Sequence, residues 1–377
     1  MSLSLSRRSP LRVFSFSFFA HIHRRLQSTS TTNTPLRILF CGSDHFSATS
    51  LKALYGEYTV GRDVIESIDV LCKTDKRAGR GLRTLREVPI KNVARDLRLP
   101  IHEISDFRGW NELPATVSGS PPNLIVAVSF GLLIPARIIT AAAYGGINVH
   151  PSLLPMYSGP APIYHTLLNG TPIAGVTIQT LHLKEFDKGM ILLQTLPPIE
   201  VPERTSYQML HDVLAVHGAE MLVETCRQRL FIPPLHPVVN NYKPSKAPKI
   251  MPTEHTRVDW RVLAAEDVER KCGALSTMWC KFGSREEPQL LRNKRAILSD
   301  ISILDVPEEN IDGDEVAPGS FQYLRIENGG LDEEILAIKC RPGGGWVKAG
   351  GIKMEGKKLI NGGEWARSLR DQVKVFL

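Results

Sequence analysis

Two residues near the middle of the chain, Asn148 and His150, have side chains that could act together on one substrate. They stand two positions apart at the end of a predicted strand over residues 146–150, so both side chains point to the same face. Pro151 then ends the strand, because proline cannot donate to the ladder of a sheet. An amide donor and an imidazole in one crevice can stabilise a developing oxyanion and carry a proton.

A carboxylate in a later loop, Asp187, is the candidate partner of His150. It lies in the segment Lys184-Glu-Phe-Asp-Lys-Gly189, which joins two predicted strands and could reach the same crevice. Taken singly, each residue also has a structural explanation. A histidine on a strand is more often a hydrogen-bonded structural residue, and an aspartate in a loop more often forms a turn. On these residues alone, both interpretations stay open.

The hydrophobic pattern predicts a parallel α/β sheet as the scaffold of these residues. Residues 36–43 are a short apolar run that ends in glycine, and a predicted helix over 46–56 follows. Further strands are predicted over 67–73, 123–129, 146–150, 175–181 and 190–197, with a helix over 91–97. Alternating strands and helices indicate a doubly wound, mostly parallel Rossmann-like sheet. Ligands bind such sheets at the carboxyl ends of the strands, where Asn148 and His150 fall.

Two kinds of bound group are disfavoured by motifs that the chain lacks. The first turn, Gly42-Ser-Asp-His-Phe46, has none of the later glycines of a dinucleotide fingerprint, although it could place a helix N-terminus near an anionic ligand. The six cysteines form no CxxC pair, which supports neither a zinc site nor a disulfide framework: Cys41, Cys72, Cys226, Cys272, Cys280 and Cys340. We expect buried, reduced thiols and no metal.

The first 34 residues differ in composition from the rest of the chain. They contain five arginines and many serines but no acid, since the first acidic residue is Asp44. This composition predicts a mitochondrial transit peptide. A secretory signal with residues 13–20 as its apolar region is disfavoured, because Ser15 and Ser17 interrupt that region; a chloroplast address shares much of the chemistry. Removal of the leader lowers the formal charge from +7 to +2, so RNA binding would depend on local basic clusters.

The C-terminal part of the chain has a different pattern from the predicted sheet. Residues 231–256 are rich in proline and lysine and predict a semi-extended linker. A helix over 264–275 and short strands over 319–326, 334–340, 345–349 and 352–354 follow. These strands predict a small OB-like β-barrel over 257–377. The expected order is therefore a leader over 1–34, a catalytic domain over 35–230, a basic linker and this barrel, with no membrane-spanning segment.

Several separated motifs, in this order, resemble the signature of the 10-formyltetrahydrofolate-dependent formyltransferase family. They are Asn148-Val-His150, Ser152-Leu-Leu-Pro155, Gly159, Pro162 and Phe186-Asp-Lys-Gly189. The likeness covers roughly residues 36–370 and is tightest over 124–197. It implies that Asn148, His150 and Asp187 form a catalytic trio. A primary amine would attack the formyl carbon, Asn148 and protonated His150 would stabilise the negative oxygen, and Asp187 would orient His150.

The resemblance also implies where the folate binds. The residues expected to contact it are Phe130, Leu133, Ile134, Ser152, Leu153, Leu154 and Pro155. An apolar wall suits a pteridine ring, and backbone groups of a loop can recognise its polar edge. Bacterial members of the family commonly carry Arg-Trp-Arg where this chain has Met156-Tyr157-Ser158, so the contacts made by this segment are expected to differ.

Three features favour Met-tRNA as the acceptor of the formyl group. The basic segment over 73–83 resembles the insertion that contacts the tRNA acceptor end, although a solvated basic loop has the same composition. The linker and the predicted barrel resemble an additional domain of the family members that formylate Met-tRNA. The leader fits an organelle that starts translation with formylmethionine. The residues expected to contact tRNA are Lys76, Arg77, Arg80, Arg83, Lys243, Lys246 and Lys249.

The expected partners are thus initiator Met-tRNA and 10-formyltetrahydrofolate, used by a monomer in the mitochondrial matrix. Two other functions remain compatible with the motifs. One is a related folate enzyme with a different acceptor, such as a 10-formyltetrahydrofolate hydrolase, which would not need the basic segment. The other is a non-catalytic tRNA-binding protein on this scaffold; the intact trio of Asn148, His150 and Asp187 argues against it.

Overall fold

The computed structural model describes residues 34–61, 63–78, 81, 83–116, 119–284, 294–305, 316–328, 331–369 and 374–376. The expected leader, apart from its last residue, and Arg80 lie outside the described residues. Residues Pro35–Leu377 form one compact unit. None of the helices in the described ranges combines the length and apolar character needed to cross a membrane.

Helices and strands alternate through the first two thirds of this unit. The described helices are α1 (His45–Val60), α2 (Pro89–Asp96), α3 (Ala136–Ala141), α4 (Pro162–Leu168), α5 (Tyr207–Gln228), α6 (Pro252–His255), α7 (Ala265–Leu275) and α8 (Gly362–Arg367). The strands of the first part are β1 (Leu36–Gly42), β2 (Ile65–Lys73), β3 (Lys76–Ala78), β4 (Thr84–Arg86), β5 (Ile101–Ile104), β6 (Leu124–Val128), β7 (Gly146–His150), β8 (Ile173–Ala174), β9 (Thr177–Thr180), β10 (Ile191–Gln194) and β11 (Ile199–Glu200). The C-terminal strands are β12 (Thr277–Ser284), β13 (Lys294–Ile303), β14 (Phe321–Asn328), β15 (Leu331–Lys339), β16 (Trp346–Met354), β17 (Ile360–Asn361) and β18 (Lys374–Phe376).

The central sheet has the strand order β10-β9-β7-β6-β1-β2-β5. The strands from β7 to β5 pair in parallel, whereas β9 and β10 are antiparallel. Both faces are covered: Ile38 and Phe40 of β1 belong to one hydrophobic cluster, and Leu39 and Cys41 to another. Strands buried on both faces are apolar at every position, as β6 is. The predicted fold class is confirmed.

Helix α5 packs against α1 on one face of this sheet, and the sequence pattern had not predicted it. Ser206 precedes its first residue, Tyr207, and caps the helix, because its side chain accepts a hydrogen bond from the Met209 N–H. Gly218 interrupts the helical pattern but lets α5 approach the sheet. A Cβ atom at this position would lie 3.2 Å from Cγ1 of Val149. Helix α5 thereby covers the strand that carries Asn148 and His150.

The C-terminal part is an antiparallel sheet with the order β14-β15-β16-β13-β12-β18, and β17 pairs with β16. The sequence pattern predicted two short strands, over 345–349 and 352–354, where the structure has the single strand β16. Gly350 and Gly351 suggested a break, yet both lie within the strand. A Cβ atom at Gly351 would lie only 2.4 Å from Oγ of Ser299 on β13, so the close pairing of these strands explains this glycine.

Candidate active site

A cleft of about 450 Å³ opens at the carboxyl ends of β6 and β7. Residues 130–134, which follow β6, form one side, here called the β6 wall. Phe46, Tyr164, Tyr207 and His211, from α1, α4 and α5, form the opposite side, here called the helical wall. Asn148, His150 and Asp187 also line the cleft, so the structure brings the three predicted catalytic residues to one cavity.

His150 is buried and held at both ring nitrogens. Nε2 donates a hydrogen bond to the carbonyl oxygen of Tyr157 at 3.0 Å, and Nδ1 lies 3.3 Å from Oδ1 of Asp187. A carbonyl oxygen and an ionised carboxylate can only accept hydrogen bonds. The bond to the Tyr157 carbonyl therefore places a proton on Nε2, and Nδ1 faces the carboxylate. The histidine is therefore positioned by two separate segments of the chain.

Asp187 has both of the features that its sequence position suggested. Its φ of 55° is the left-handed conformation of a turn residue, and its carboxylate also contacts His150. Oδ2 accepts the N–H of Gly159 at 2.8 Å, and Oδ1 accepts a bond from Nε2 of Gln179 at 3.2 Å. Gln179 is buried on β9 and was not singled out in the sequence, although it directly follows the family-like segment over 175–178.

Asn148 differs from its two neighbours because its amide is not committed to the protein. It is half-buried and lines the cleft, and within the described residues its side chain makes no hydrogen bond. Its two N–H donors are thus available to a ligand. An available amide beside an anchored imidazole is an arrangement that can receive negative charge on an oxygen.

Comparison with known proteins agrees with this geometry. Residues 36–226 match the family described as formyl transferase. The chain belongs to this family. It is 31% identical to the protein named "Methionyl-tRNA formyltransferase, mitochondrial" of Saccharomyces cerevisiae, over 89% of this chain and 90% of that protein. The protein of the same name from Rattus norvegicus is 30% identical, over 86% of this chain and 76% of its own length.

A solved structure supports the fold alone. The N-formyltransferase of Helicobacter canadensis, in complex with folinic acid and dTDP-3-aminofucose, superposes with a TM-score of 0.51 at 14% identity. The match covers 83% of this chain and 98% of that one. The family match and the two relatives show that this chain is a formyltransferase enzyme, as its motifs predicted.

Three of the seven predicted folate contacts line the cleft of this formyltransferase: Phe130, Leu133 and Ile134. The other four, residues 152–155, lie outside the cleft lining. Ser152, Leu153 and Leu154 are buried, and the Oγ of Ser152 donates to the Met156 carbonyl at 2.7 Å. The N–H of Leu154 donates to Oγ1 of Thr177 at 3.1 Å. These contacts brace the loop after β7 against the sheet.

The segment Met156-Tyr157-Ser158 acts on the site through its main chain. Tyr157 is buried, and its hydroxyl pairs with Oγ1 of Thr171 and accepts a bond from Nδ2 of Asn169 at 3.1 Å. Its φ of 56° turns the backbone so that its carbonyl meets His150. The Tyr157 side chain is therefore an anchoring group of this segment.

The basic segment of the formyltransferase is an exposed hairpin, formed by β3 and β4. Lys76, Arg77 and Arg83 are exposed, whereas Arg80 lies in the part of the hairpin that the structure does not describe. A hydrogen bond and an ion pair of Asp75 stabilise the base of the hairpin. Oδ1 of Asp75 accepts the N–H of Val88 at 3.0 Å and lies 2.8 Å from Nζ of Lys91.

The linker lysines Lys243, Lys246 and Lys249 are also exposed. A further basic site lies on the C-terminal sheet, where the sequence suggested no contact residue. The guanidinium of Arg295 lies 4.2 Å from the ring centre of Trp279, and that of Arg257 lies 5.9 Å away. Lys281 and Lys353 line the same groove, here called the Trp279 groove, of about 420 Å³. Trp279 and Lys281 stand two positions apart on β12, so their side chains share one face of the strand. This period of two is a sequence signal that could have indicated the groove.

The cysteines agree with the sequence prediction. All six are unpaired and buried. Burial raises the pKa of the Cys72 thiol to about 11 and that of the Cys226 thiol to about 12. Both thiols are therefore protonated near neutral pH. Among the described residues, no group of three or more His, Cys, Asp or Glu side chains could hold a metal ion.

Proposed function

We propose that this formyltransferase transfers the formyl group of 10-formyltetrahydrofolate to the α-amino group of methionine on initiator Met-tRNA. The observation that carries the proposal is the cleft in which His150 is held between a carbonyl and a carboxylate, beside the available amide of Asn148. The names of the Saccharomyces cerevisiae and Rattus norvegicus relatives support Met-tRNA as the acceptor.

The three residues have distinct roles in the proposed transfer. Asn148 donates hydrogen bonds to the formyl oxygen as it becomes negative, and protonated His150 adds positive charge beside it. Asp187 holds the ring through Nδ1. Nε2 of His150 is hydrogen-bonded to the Tyr157 carbonyl and Nδ1 lies beside Asp187, so a proton exchange with substrate requires one of these contacts to be replaced by a contact with the substrate. The proton lost by the attacking amine ends on the nitrogen that releases the formyl group.

The β6 wall is proposed to bind the folate, which supplies an activated formyl carbon. Phe130 and Ile134 are buried behind the cleft, whereas Leu133 is 41% exposed at its edge. An apolar wall with a few polar groups at one end fits a flat heteroaromatic ring whose reactive end lies near Asn148. Residues 152–155 support this site by bracing the loop after β7.

The acceptor RNA is proposed to bind three exposed basic surfaces. These are the hairpin with Lys76, Arg77 and Arg83, the linker lysines Lys243, Lys246 and Lys249, and the Trp279 groove. Arg80, which lies outside the described residues, is proposed as a further contact on the strength of its place in the sequence. Cations that contact phosphates position a nucleic acid without regard to sequence, and a base can stack on an aromatic ring.

The finer organisation is also proposed. Residues 1–34 would direct the chain to the mitochondrial matrix, in keeping with the mitochondrial relatives named above. The catalytic domain would span 35–230, the basic linker 231–256 and the tRNA-binding domain 257–377, in a monomer.

The deciding experiment is a formylation assay with 10-formyltetrahydrofolate and charged initiator Met-tRNA. The wild-type chain is expected to produce formyl-Met-tRNA. His150→Ala should lower kcat by at least about 100-fold, because it removes the charged neighbour of the oxyanion. His236→Ala is the matched control, since His236 is exposed in the linker and away from the cleft.

Each alternative function gives a different result in this assay. Release of formate without formyl-Met-tRNA would identify a hydrolase. Binding of Met-tRNA with neither product would identify a non-catalytic RNA-binding protein. Equal kcat values for wild type and His150→Ala would remove His150 from the proposed mechanism.

A further inference from the structure

The predicted linker pairs with the loop after β7 over residues 245–247. The N–H of Ser158 donates to the Ser245 carbonyl at 3.0 Å, and the N–H of Ala247 donates to the Ser158 carbonyl at 2.8 Å. The N–H of Ala161 donates in turn to the Ala247 carbonyl at 3.2 Å. Lys246 thus forms an isolated parallel bridge with Ser158, and residues 245–247, which run along this loop, are here called the linker strand.

Two consecutive peptide groups of that loop connect the linker strand to the candidate catalytic residues. The peptide group between Tyr157 and Ser158 has its N–H on the Ser245 carbonyl, and its carbonyl accepts the bond from His150. The next peptide group, between Ser158 and Gly159, has its carbonyl on the Ala247 N–H. Its own N–H donates to Asp187.

A peptide group is planar and rigid, so fixing one side of it fixes the direction of the other. Loss of the linker strand would leave both peptide groups free to rotate about the adjoining φ and ψ angles. The acceptor for Nε2 of His150 and the donor to Oδ2 of Asp187 would then lose their orientation. Ser245 adds a third link, because its Oγ accepts the N–H of Tyr157 at 2.9 Å.

We propose that the linker strand, residues 245–247, is a positioning element of the active site that orients His150 and Asp187 through these two peptide groups. This inference rests on the proposed function for its kinetic test. It assigns the linker a role besides the RNA contacts of its lysines. Gly159 belongs to the same arrangement, because its φ is +127° and a Cβ atom there would lie only 2.6 Å from the Ala247 carbonyl oxygen. The absence of a side chain therefore lets the linker strand approach this closely.

The first test compares Ser245→Ala with Ser245→Thr. The alanine variant removes one link to Tyr157 and should lower kcat about tenfold, with the KM values for folate and Met-tRNA within about twofold of wild type. The threonine variant keeps the hydroxyl and should recover most of kcat. Val239→Ala, at an 88% exposed linker position, is the control that should behave as wild type.

The second test places a side chain against the linker strand and compares it with an alanine at a milder positive φ. Gly159→Ala should lower kcat by at least about 100-fold, because its Cβ atom displaces the linker strand. Gly170→Ala also places alanine at a positive φ, of +59°, but its nearest neighbour atom is 3.5 Å away, so kcat should stay within about threefold. Thermal unfolding curves establish that each variant is folded before its kinetics are compared.

A readout that needs no activity distinguishes this inference from the proposed function. In chains labelled with ¹⁵N-histidine, Ser245→Ala should shift the ring-nitrogen resonances of His150, assigned with His150→Ala, and leave those of His236 in place. An unshifted ring together with unchanged kcat in folded Ser245→Ala would overturn the positioning role. If the wild-type chain formylates no Met-tRNA but Ser245→Ala still shifts the His150 resonances, the proposed acceptor is overturned and the positioning role stays intact.

Discussion

Gln179 donates a hydrogen bond from Nε2 to Oδ1 of Asp187 at 3.2 Å. Its Oε1 accepts the N–H of Gly189 at 3.1 Å, so one amide group holds the loop at two points. Gln179 stands opposite Asn148 in the pairing of β9 with β7. The loop that carries Asp187 is therefore fixed to the same rigid sheet as the residues it serves, before any substrate binds.

Replacement of Gln179 by an apolar residue of similar length should disturb this loop. In Gln179→Met, Asp187 loses one of its donors and Gly189 loses its acceptor, so the carboxylate is held less firmly beside His150. We expect kcat for formyl transfer to fall about 10- to 100-fold with little change in KM, since the contact serves orientation. Gln208→Met, at an exposed position of α5, is the control and should keep the wild-type kcat and KM. An increase in KM with unchanged kcat for Gln179→Met would contradict this role.

Lys91 should control how well the basic hairpin binds RNA, although its own side chain is only 1% exposed. Its ammonium lies 2.8 Å from Asp75 and 2.5 Å from Glu103, and these bonds raise its pKa despite burial. Lys91→Met leaves Asp75 with one partner fewer at the base of the hairpin. We expect a KM for Met-tRNA about tenfold higher and a KM for folate within about twofold, on the scale of one lost charged hydrogen bond. Lys52→Met, on the exposed side of α1, is the control, and equal increases in both KM values would argue against this explanation.

Stability should depend on pH through His217. Burial lowers the pKa of His217, although Glu220 opposes the shift, and its Nε2 has no hydrogen-bond partner among the residues that the structure describes. Below about pH 6.5 the unfolded chain takes up this proton more readily than the folded chain. The free energy of unfolding should therefore decrease as the pH falls through that value. His217→Gln should flatten this decrease in urea unfolding between pH 7.5 and 5.5, whereas the exposed His236→Gln should reproduce the wild-type curve.

The Trp279 groove should contribute to tRNA affinity in two separable ways, by base stacking on Trp279 and by the charge of Arg295. Trp279→Leu removes an aromatic surface worth roughly 1–3 kcal/mol per stacked base, so tRNA affinity should fall about 5- to 150-fold at any salt concentration. Arg295→Ala should weaken binding mainly at low salt and reduce the slope of log affinity against log salt by about one. Unchanged affinity in both variants, measured by fluorescence anisotropy beside Lys52→Ala, would exclude RNA from this groove.

The strand over residues 146–150 and the trio it helps to form could be predicted because their signals are local. Gly145 precedes this strand and Pro151 follows it, and the Asn148-Val-His150 motif occupies its end. Helix α5 escaped prediction because Gly218 breaks its pattern, and the reason for that glycine is the distant Val149. The support of His150 by Tyr157 could not be predicted at all, since a backbone carbonyl is present in every residue and leaves no mark in the sequence.

The linker strand lies between Pro244 and Pro248, and this spacing has a thermodynamic consequence. The two positions whose N–H groups donate, Ser245 and Ala247, are not proline, while the flanking positions need no donor. Each proline removes backbone conformations from the unfolded and undocked chain, so less entropy is lost when the strand docks. The outward lysines are free to vary without loosening the strand, but a proline at 245 or 247 would break it. Selection on the proposed RNA contacts and selection on the proposed positioning of His150 can thus act on alternate residues of one short segment.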